Sequence, residues 1–305
     1  MEKIVSVSLG SPSRDFAVEV ELLGRPLRIE RRGVGGSYES YFRLLRELDA
    51  DPEVRAIGLG GINRYLLCEE RKHEFTVARR MAATVTHKPV VDGVGLKLSL
   101  EPHIIHQLQK EGEIDLAHSR VLMVSATDRW GMAQALKEHA RELVVGDLMF
   151  ALDLPVPLSW RWLSILAPLL LPLIVRCVPF KALYPTSEAK AKPRFRRWYA
   201  WADLIAGDWK FIRRCLPEEP EALAGKTILT NTVTDKDIAL MRARGLSLLV
   251  TTTPNLSGRS FGTNVIEGVV VTLAGKRPEE MTGADYLAVL AQLGWDRPRL
   301  ERLNG

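Results

Sequence analysis

Short apolar runs alternate with helical spacings through most of this chain. Residues 3–9, 17–23 and 27–31 read as three strands, parted by turn signals at 11–13 and at Gly24-Arg25. Gly35-Gly36-Ser37 opens a helix over 38–48, with Phe42, Leu44, Leu45 and Leu48 at helical spacing. A strand at 55–59 ends in Gly60-Gly61-Ile62-Asn63, and a helix over 77–86 is stopped by Lys88-Pro89. Val90-Val91 gives a strand ending in Asp92-Gly93-Val94-Gly95, and a helix at 102–110 leads to the polar stretch 111–119. From Arg120 the order is strand 121–126, helix 131–139, strand 143–145, strand 201–206, strand 227–229, helix 235–244 closed by Gly245, and strand 246–250. The tail, 279–302, reads as helical and is expected to pack back on the first domain.

Strands alternating with helices predict an α/β protein: an N-terminal α/β domain followed by a Rossmann-like, doubly wound parallel sheet. The expected limits are 1–118 for a substrate domain, 119–278 for a dinucleotide-binding domain, and 279–305 for the returning helices. An apolar insertion at 155–200 interrupts the second domain. Within 162–175 only Ser164, Pro168 and Pro172 are not strongly apolar, and Arg161 and Arg176 flank the run. Fourteen residues are too few to span a bilayer, which takes about 20. Two prolines speak against one straight helix. The plain expectation is a pair of short helices buried in a core or dimer interface. The sharper alternative is contact with a membrane surface, because the basic run 190–197 follows with Trp198-Tyr199.

Composition narrows the class without fixing the activity. The chain has 305 residues, 46% hydrophobic and 26% charged, which excludes a largely disordered chain, a collagen-like repeat and a multi-span membrane protein. A net charge of +5 over this length is too dilute to imply nucleic acid. Three widely spaced cysteines make neither a disulfide framework nor a zinc pair, so the cytoplasm is the expected compartment. A homo-oligomer is expected.

In an open parallel sheet, ligands lie beyond the carboxyl ends of the strands, where helix N-termini present unpaired N–H groups. The polar residues just after each predicted strand therefore matter as a set: Asn63 and Arg64, Asp92 and Lys97, Thr127 to Arg129, Asp147, Asp208, Asn231 and Thr232, and Thr251 to Thr253. Taken singly, each is also a common helix cap. Taken together, they form a polar rim expected to hold a small molecule.

The turn Ser125-Ala-Thr-Asp-Arg-Trp-Gly131 stands where a dinucleotide fingerprint would stand, with Ser125 and Asp128 at two of its three glycine positions. Ser125, Thr127, Gly131 and Thr232 are the candidate cofactor contacts, and Arg129 would offset Asp128. Asp147, 22 residues after Ser125, would hydrogen-bond the ribose of NAD, and its charge would disfavour the 2′-phosphate of NADP. Gly146-Asp147-x-x-Phe150 and Gly207-Asp208-x-x-Phe211 share a pattern: either two carboxylates meeting across a cleft or two similar helix caps. In 251–264, Thr252, Ser257, Arg259, Ser260 and Thr263 place hydroxyls and a guanidinium at a helix start, suited to a phosphate or carboxylate, with Asn63 contributing to the same substrate. Lys97, oriented by Asp92 or Asp208, would pass a proton to and from a hydroxyl. His103 and His106 lack a convincing third ligand, so no metal is expected.

The segments VSVSLGSPSRDFAVEVELLG, IGLGGINRYL, PVVDGVGLK, VLMVSATDRWGMA, GDLMFAL, ILTNTVT and LLVTTTPNLSGRSFGTN resemble a bacterial family labelled quinate 5-dehydrogenase, similar to quinate/shikimate dehydrogenases. A weaker likeness is to acyl-carrier-protein reductases and predicted amino-acid dehydrogenases. The resemblance covers most of the chain and implies an NAD-dependent oxidoreductase of a small, hydroxylated, anionic substrate, with Lys97 in the place of that family's lysine. Two other readings stay open: a nucleotide- or metabolite-binding protein without redox chemistry, and a membrane-associated protein using 158–197.

Overall fold

The opening apolar run forms β1 (Glu2–Ser8), and it is the hub of a five-stranded sheet. The computed structural model describes residues 1–184, 192–256 and 259–304. These fall into two units: Met1–Leu66, His73–Leu100 and Gly262–Asp296 make the first, and Leu67–Lys72, Glu101–Phe261 and Arg297 onward the second. The expected limits 1–118, 119–278 and 279–305 differ from this division, because the chain returns to the first unit at Gly262.

In the first unit, β2 (Phe16–Leu22) turns back through Gly24 into β3 (Arg25–Gly33) as an antiparallel pair. Helix α1 (Tyr38–Ala50) leads to β4 (Val54–Gly60), and the hairpin of β5 (Tyr65–Cys68) and β6 (Arg71–Glu74) follows, its Leu67–Lys72 portion belonging to the second unit. Then come α2 (Thr76–Ala82), shorter than the expected 77–86, the two-residue β7 (Val90–Val91) and α3 (Val94–Leu98). The sheet order is β2-β3-β1-β4-β7, with β1 parallel to both β3 and β4, and β4 parallel to β7. Ile4, Val5, Val7 and Ile57 are buried at its centre, and the Tyr41 hydroxyl on α1 donates to the Val7 carbonyl at 2.9 Å.

After Leu67–Lys72 the second unit resumes with α4 (Leu100–Glu111), whose first residue still belongs to the first unit. Strand β8 (Arg120–Met123), α5 (Trp130–His139), β9 (Glu142–Val145) and α6 (Asp147–Leu152) follow. Next are α7 (Trp160–Cys177), α8 (Phe180–Leu183), α9 (Arg196–Trp201), β10 (Leu204–Ala206) and α10 (Trp209–Cys215). After these come β11 (Thr227–Thr230), α11 (Asp235–Ala243), β12 (Leu248–Thr251) and the short pair β13 (Asn255–Leu256) and β14 (Arg259–Ser260). Helices α12 (Thr263–Ala274) and α13 (Gly283–Gln292) complete the first unit, and β15 (Arg299–Arg302) closes the second. The sheet order is β15-β12-β11-β10-β8-β9, parallel except for β15. Strand order therefore reverses between β8 and β10, the switch point at which a doubly wound sheet opens its edge to ligands. The α/β architecture with a Rossmann-like sheet is as the sequence predicts.

Two expectations are corrected. The tail is helical only through α13, which the left-handed Gly294 (φ 67°) closes, and β15 pairs with β12 as a strand. The apolar segment is one 18-residue helix, α7, with both prolines inside it, not a buried pair of short helices. Pro168 and Pro172 are four residues apart, so both missing N–H donors fall on one side and the other rows of hydrogen bonds persist. Its Leu163, Ala167, Leu171 and Val175 are buried, and much of the rest is exposed.

Candidate functional site

Strands β4 and β7 are parallel neighbours, so their carboxyl ends deliver Asn63 and Asp92 to the same edge of the first unit. Gly93 holds a left-handed φ of 95° and turns the chain straight into α3, which carries Lys97. The Lys97 ammonium donates to Asn63 Oδ1 at 3.3 Å, and both Lys97 and Asp92 are buried. Asp92 Oδ2 accepts the main-chain N–H of Arg64 at 3.2 Å, and Oδ1 that of Val94 at 3.3 Å. Burial raises the Asp92 pKa; the positive charge of Lys97 only partly offsets this.

A second carboxylate, unmarked in the sequence reading, completes the group. Glu267 lies inside the apolar helix α12, fully buried. It accepts Gly93 N at 2.5 Å and Gly95 N at 2.8 Å, and the Tyr286 hydroxyl of α13 donates to it at 2.9 Å. Burial and the neighbouring charge of Asp92 push its pKa up to about 7. Thr263, the first residue of α12, is buried beside Gly93: a Cβ on that glycine would run into its hydroxyl. The structure thus gathers Asn63, Asp92, Lys97 and Thr263 from the expected set and adds Glu267 and Tyr286. Glu is rarely buried without partners, so a single Glu inside an apolar helix was the available signal.

Arg64 links this group to a cavity of about 220 Å³. Arg79, Lys88 and Arg277 line it along with Arg64, and Glu279 is its one acidic neighbour. Arg64 Nε itself donates to Glu74 at 2.6 Å. Even so, the lining stays cationic and suits an anionic group.

At the switch point of the second unit, the remaining candidates are engaged with one another. Asp147 accepts Ala126 N at 2.7 Å, Thr127 N at 3.0 Å and the Thr127 hydroxyl at 2.5 Å. Burial raises its pKa against these hydrogen bonds. Arg129 is buried, pairs with Glu101, reaches Asp208 at 3.2 Å and has Asp128 at 3.9 Å. Burial works against its charge, but the three carboxylates outweigh this and its pKa rises. Asp208 also accepts Lys210 N at 2.9 Å, capping α10, and the Asn231 amide at 3.1 Å. The two Gly-Asp-x-x-Phe segments are therefore a turn clamp and a helix cap. The Thr232 hydroxyl donates to the Phe261 carbonyl at 3.0 Å, and Ser125 and Gly131 are buried. Thr252, buried at the end of β12, has a hydroxyl with no hydrogen-bond partner. Ser257 lies outside the described residues, as do the side chains of Arg259 and Ser260 on β14.

The residues expected to hold a dinucleotide thus have partners within the second unit itself. Two of the turn's N–H groups, those of Ala126 and Thr127, donate to Asp147, and Arg129 is paired with Glu101 and Asp208. Three carboxylates, those of Glu101, Asp128 and Asp208, surround that guanidinium, and a pyrophosphate brought to it would compete with them. His106 Nε2 lies 3.3 Å from Glu138 with His139 beside it, an exposed grouping of α4 with α5.

Residues 95–303 match the family model described as "Domain of unknown function (DUF8754)", and residues 3–92 match "Domain of unknown function (DUF8753)". No curated protein matches the sequence significantly. Among solved structures, the chain is similar to a hetero-hexameric glutamate dehydrogenase from Thermus thermophilus in its Leu-bound form, with 14% identity, 96% of this chain and 74% of that one covered, and a TM-score of 0.44. A bifunctional methylenetetrahydrofolate dehydrogenase/cyclohydrolase from Campylobacter jejuni gives 13% identity, 96% and 85% coverage, and a TM-score of 0.33. The substrate-binding protein of a sugar ABC transport system from Bordetella parapertussis 12822 gives 11%, 99% and 89%, and 0.37.

Proposed function

The chain belongs to the family described as Domain of unknown function (DUF8754), and on that premise we propose an enzyme that passes a proton to and from a hydroxyl group of a small, anionic metabolite. One observation carries this reading. A buried ammonium, Lys97, is fixed on Asn63 beside the buried carboxylate of Asp92. An ammonium and a carboxylate so placed can donate and recover a proton, which contributes about 10²–10⁴-fold to such reactions. The cavity lined by Arg64, Arg79, Lys88 and Arg277 supports a carboxylate or phosphate on the substrate.

The resemblance to quinate 5-dehydrogenases makes this proton transfer one half of an alcohol–ketone interconversion. The chain is then an oxidoreductase of a quinate- or shikimate-like polyol acid. A nicotinamide, NAD in preference to NADP, is the hydride acceptor that the resemblance implies. No role in holding it is assigned to Arg129 or Asp147, since both are taken up within the second unit. A specific observation favours a second reading, metabolite binding without redox chemistry: the protein's own carboxylates fill the turn where a pyrophosphate would go.

Separate titrations with NAD and NADP, followed by thermal shift and nicotinamide fluorescence, decide between the two. A response to NAD, with polyol-acid turnover lost in Lys97→Met while ligand affinity stays within a few fold, supports the oxidoreductase. Silence from both nucleotides alongside a thermal shift with the polyol acid supports the second reading. Full turnover in Lys97→Met removes the proton-transfer assignment.

A further inference from the structure

Helix α7 is the least covered apolar surface among the described residues. It runs 18 residues, about 27 Å at 1.5 Å per residue, with a mean hydropathy of 1.4. One stripe, Leu163, Ala167, Leu171 and Val175, is buried within the second unit. The opposite stripe is open to solvent: Trp162 is 57% exposed, Leu169 66% and Leu173 59%, with Ile165 and Leu170 beside them. A helix apolar all round, with one face unburied, is a binding surface and not a core element.

The charges show what covers it. The helix carries two, Arg161 and Arg176, one near each end. At 100° per residue both fall within the same arc of roughly 120° as Trp162, Ile165, Leu169 and Leu173. Both guanidiniums are exposed, and neither makes an ion pair among the described residues. Pairing this face with a second copy would bring Arg161 against Arg176, or each against its own twin, so like charges would meet at both ends of the contact. An anionic surface neutralises both and accepts the apolar residues between them.

We propose that α7 is a membrane-surface helix, lying in the interface of an anionic bilayer with Trp162, Ile165, Leu169 and Leu173 inserted and Arg161 and Arg176 on the headgroups. It lies flat and does not cross, because its other stripe stays packed in the second unit. Insertion of an apolar face to about 5–10 Å is the usual depth for such helices.

The test uses the full chain with vesicles of phosphatidylcholine alone and of phosphatidylcholine with phosphatidylglycerol. Co-sedimentation with the anionic vesicles only, weakened by salt, is expected. Leu169→Glu with Leu173→Glu lowers the bound fraction about tenfold or more, while near-ultraviolet circular dichroism and melting stay as in the wild type. Brominated lipids quench tryptophan emission, and Trp162→Phe removes most of that quenching. Wild-type protein left in the supernatant with anionic vesicles overturns the proposal. So does a wild-type dimer in sedimentation velocity that the double variant converts to monomer, which assigns the face to a second copy.

Discussion

Glu267 accepts the amide hydrogen of Gly93 at 2.5 Å across 174 residues of sequence, and so ties α12 to the turn that presents Asp92 and Lys97. Removing that carboxylate leaves the Gly93 and Gly95 donors buried without it, at about 1–3 kcal/mol each. Glu267→Ala is expected to lower the melting temperature by several degrees and to lower turnover or ligand affinity through Lys97. Calorimetry together with ligand titration checks this, and an unchanged melting point would remove the clamp.

The same group makes stability depend on pH. Its pKa, about 7 in the folded chain, stands above the ordinary glutamate value of about 4.3. The folded state therefore holds a proton that the unfolded chain has released. That contribution is fully present below about pH 4.3 and is lost as pH rises through about 7. Urea unfolding between pH 5 and 8 should show wild-type stability falling relative to Glu267→Gln. Parallel curves for the two proteins would place the titration elsewhere.

Arg129 is bound to Glu101 and Asp208 inside the second unit. Breaking a buried ion pair by removing one partner costs about 3–5 kcal/mol, since the other charge is stranded. Arg129→Met should therefore be among the most destabilising single changes, and Arg129→Met with Glu101→Leu should recover part of the loss. A double-mutant cycle by urea unfolding measures the coupling, and additive effects would show that the pair does not act as a unit.

Strand and helix positions were largely legible because the apolar period changes cleanly from two to 3.6, and the turn glycines mark the sheet edges. Gly93, Asp92 and Lys97 belong to that local pattern, and the structure keeps them together. Glu267 escaped because the largely apolar run 265–273 hides one carboxylate whose partners at the start of α3 lie far away in sequence. Helix α7 misled in the other direction: length and prolines argued for two buried pieces, whereas four-residue proline spacing lets one helix survive. Asp147 and Arg129 stood at the expected positions with their partners unseen, since Glu101 and Asp208 reach the turn only through tertiary packing.

Gly95 sits in α3, where alanine is ordinarily the better helix former by about 1 kcal/mol. Here a Cβ would run into the Tyr286 ring and the Glu267 carboxylate. Gly95→Ala is therefore expected to destabilise by about 1–3 kcal/mol, as overpacking does, against its helix propensity. Gly24→Ala, at a turn with φ of +74° and open space around it, should show only the backbone strain. Thermal unfolding of the two variants separates clash from strain, and a Gly95→Ala protein as stable as the wild type would mean that α12 and α13 do not press on α3.

Asp49, at the end of α1, fastens the turn that leads into β7. Its carboxylate accepts the main-chain N–H of Thr86 and His87 at 2.9 Å each and of Lys88 at 3.1 Å, with the Thr86 hydroxyl at 3.1 Å and His87 Nδ1 at 3.0 Å. Burial alone would raise its pKa, but these donors hold it well below the ordinary aspartate range. The unfolded chain binds the proton first, near pH 3.9. The stabilisation is thus present above that pH and is lost as pH falls toward the folded value. Asp49→Asn keeps one acceptor oxygen and loses the charge, so it should cost about 1–3 kcal/mol at pH 7 and flatten the acid limb of stability. Acid titration followed by circular dichroism checks this: if the wild type and Asp49→Asn unfold at the same low pH with the same slope, the turn is fastened by something other than this carboxylate.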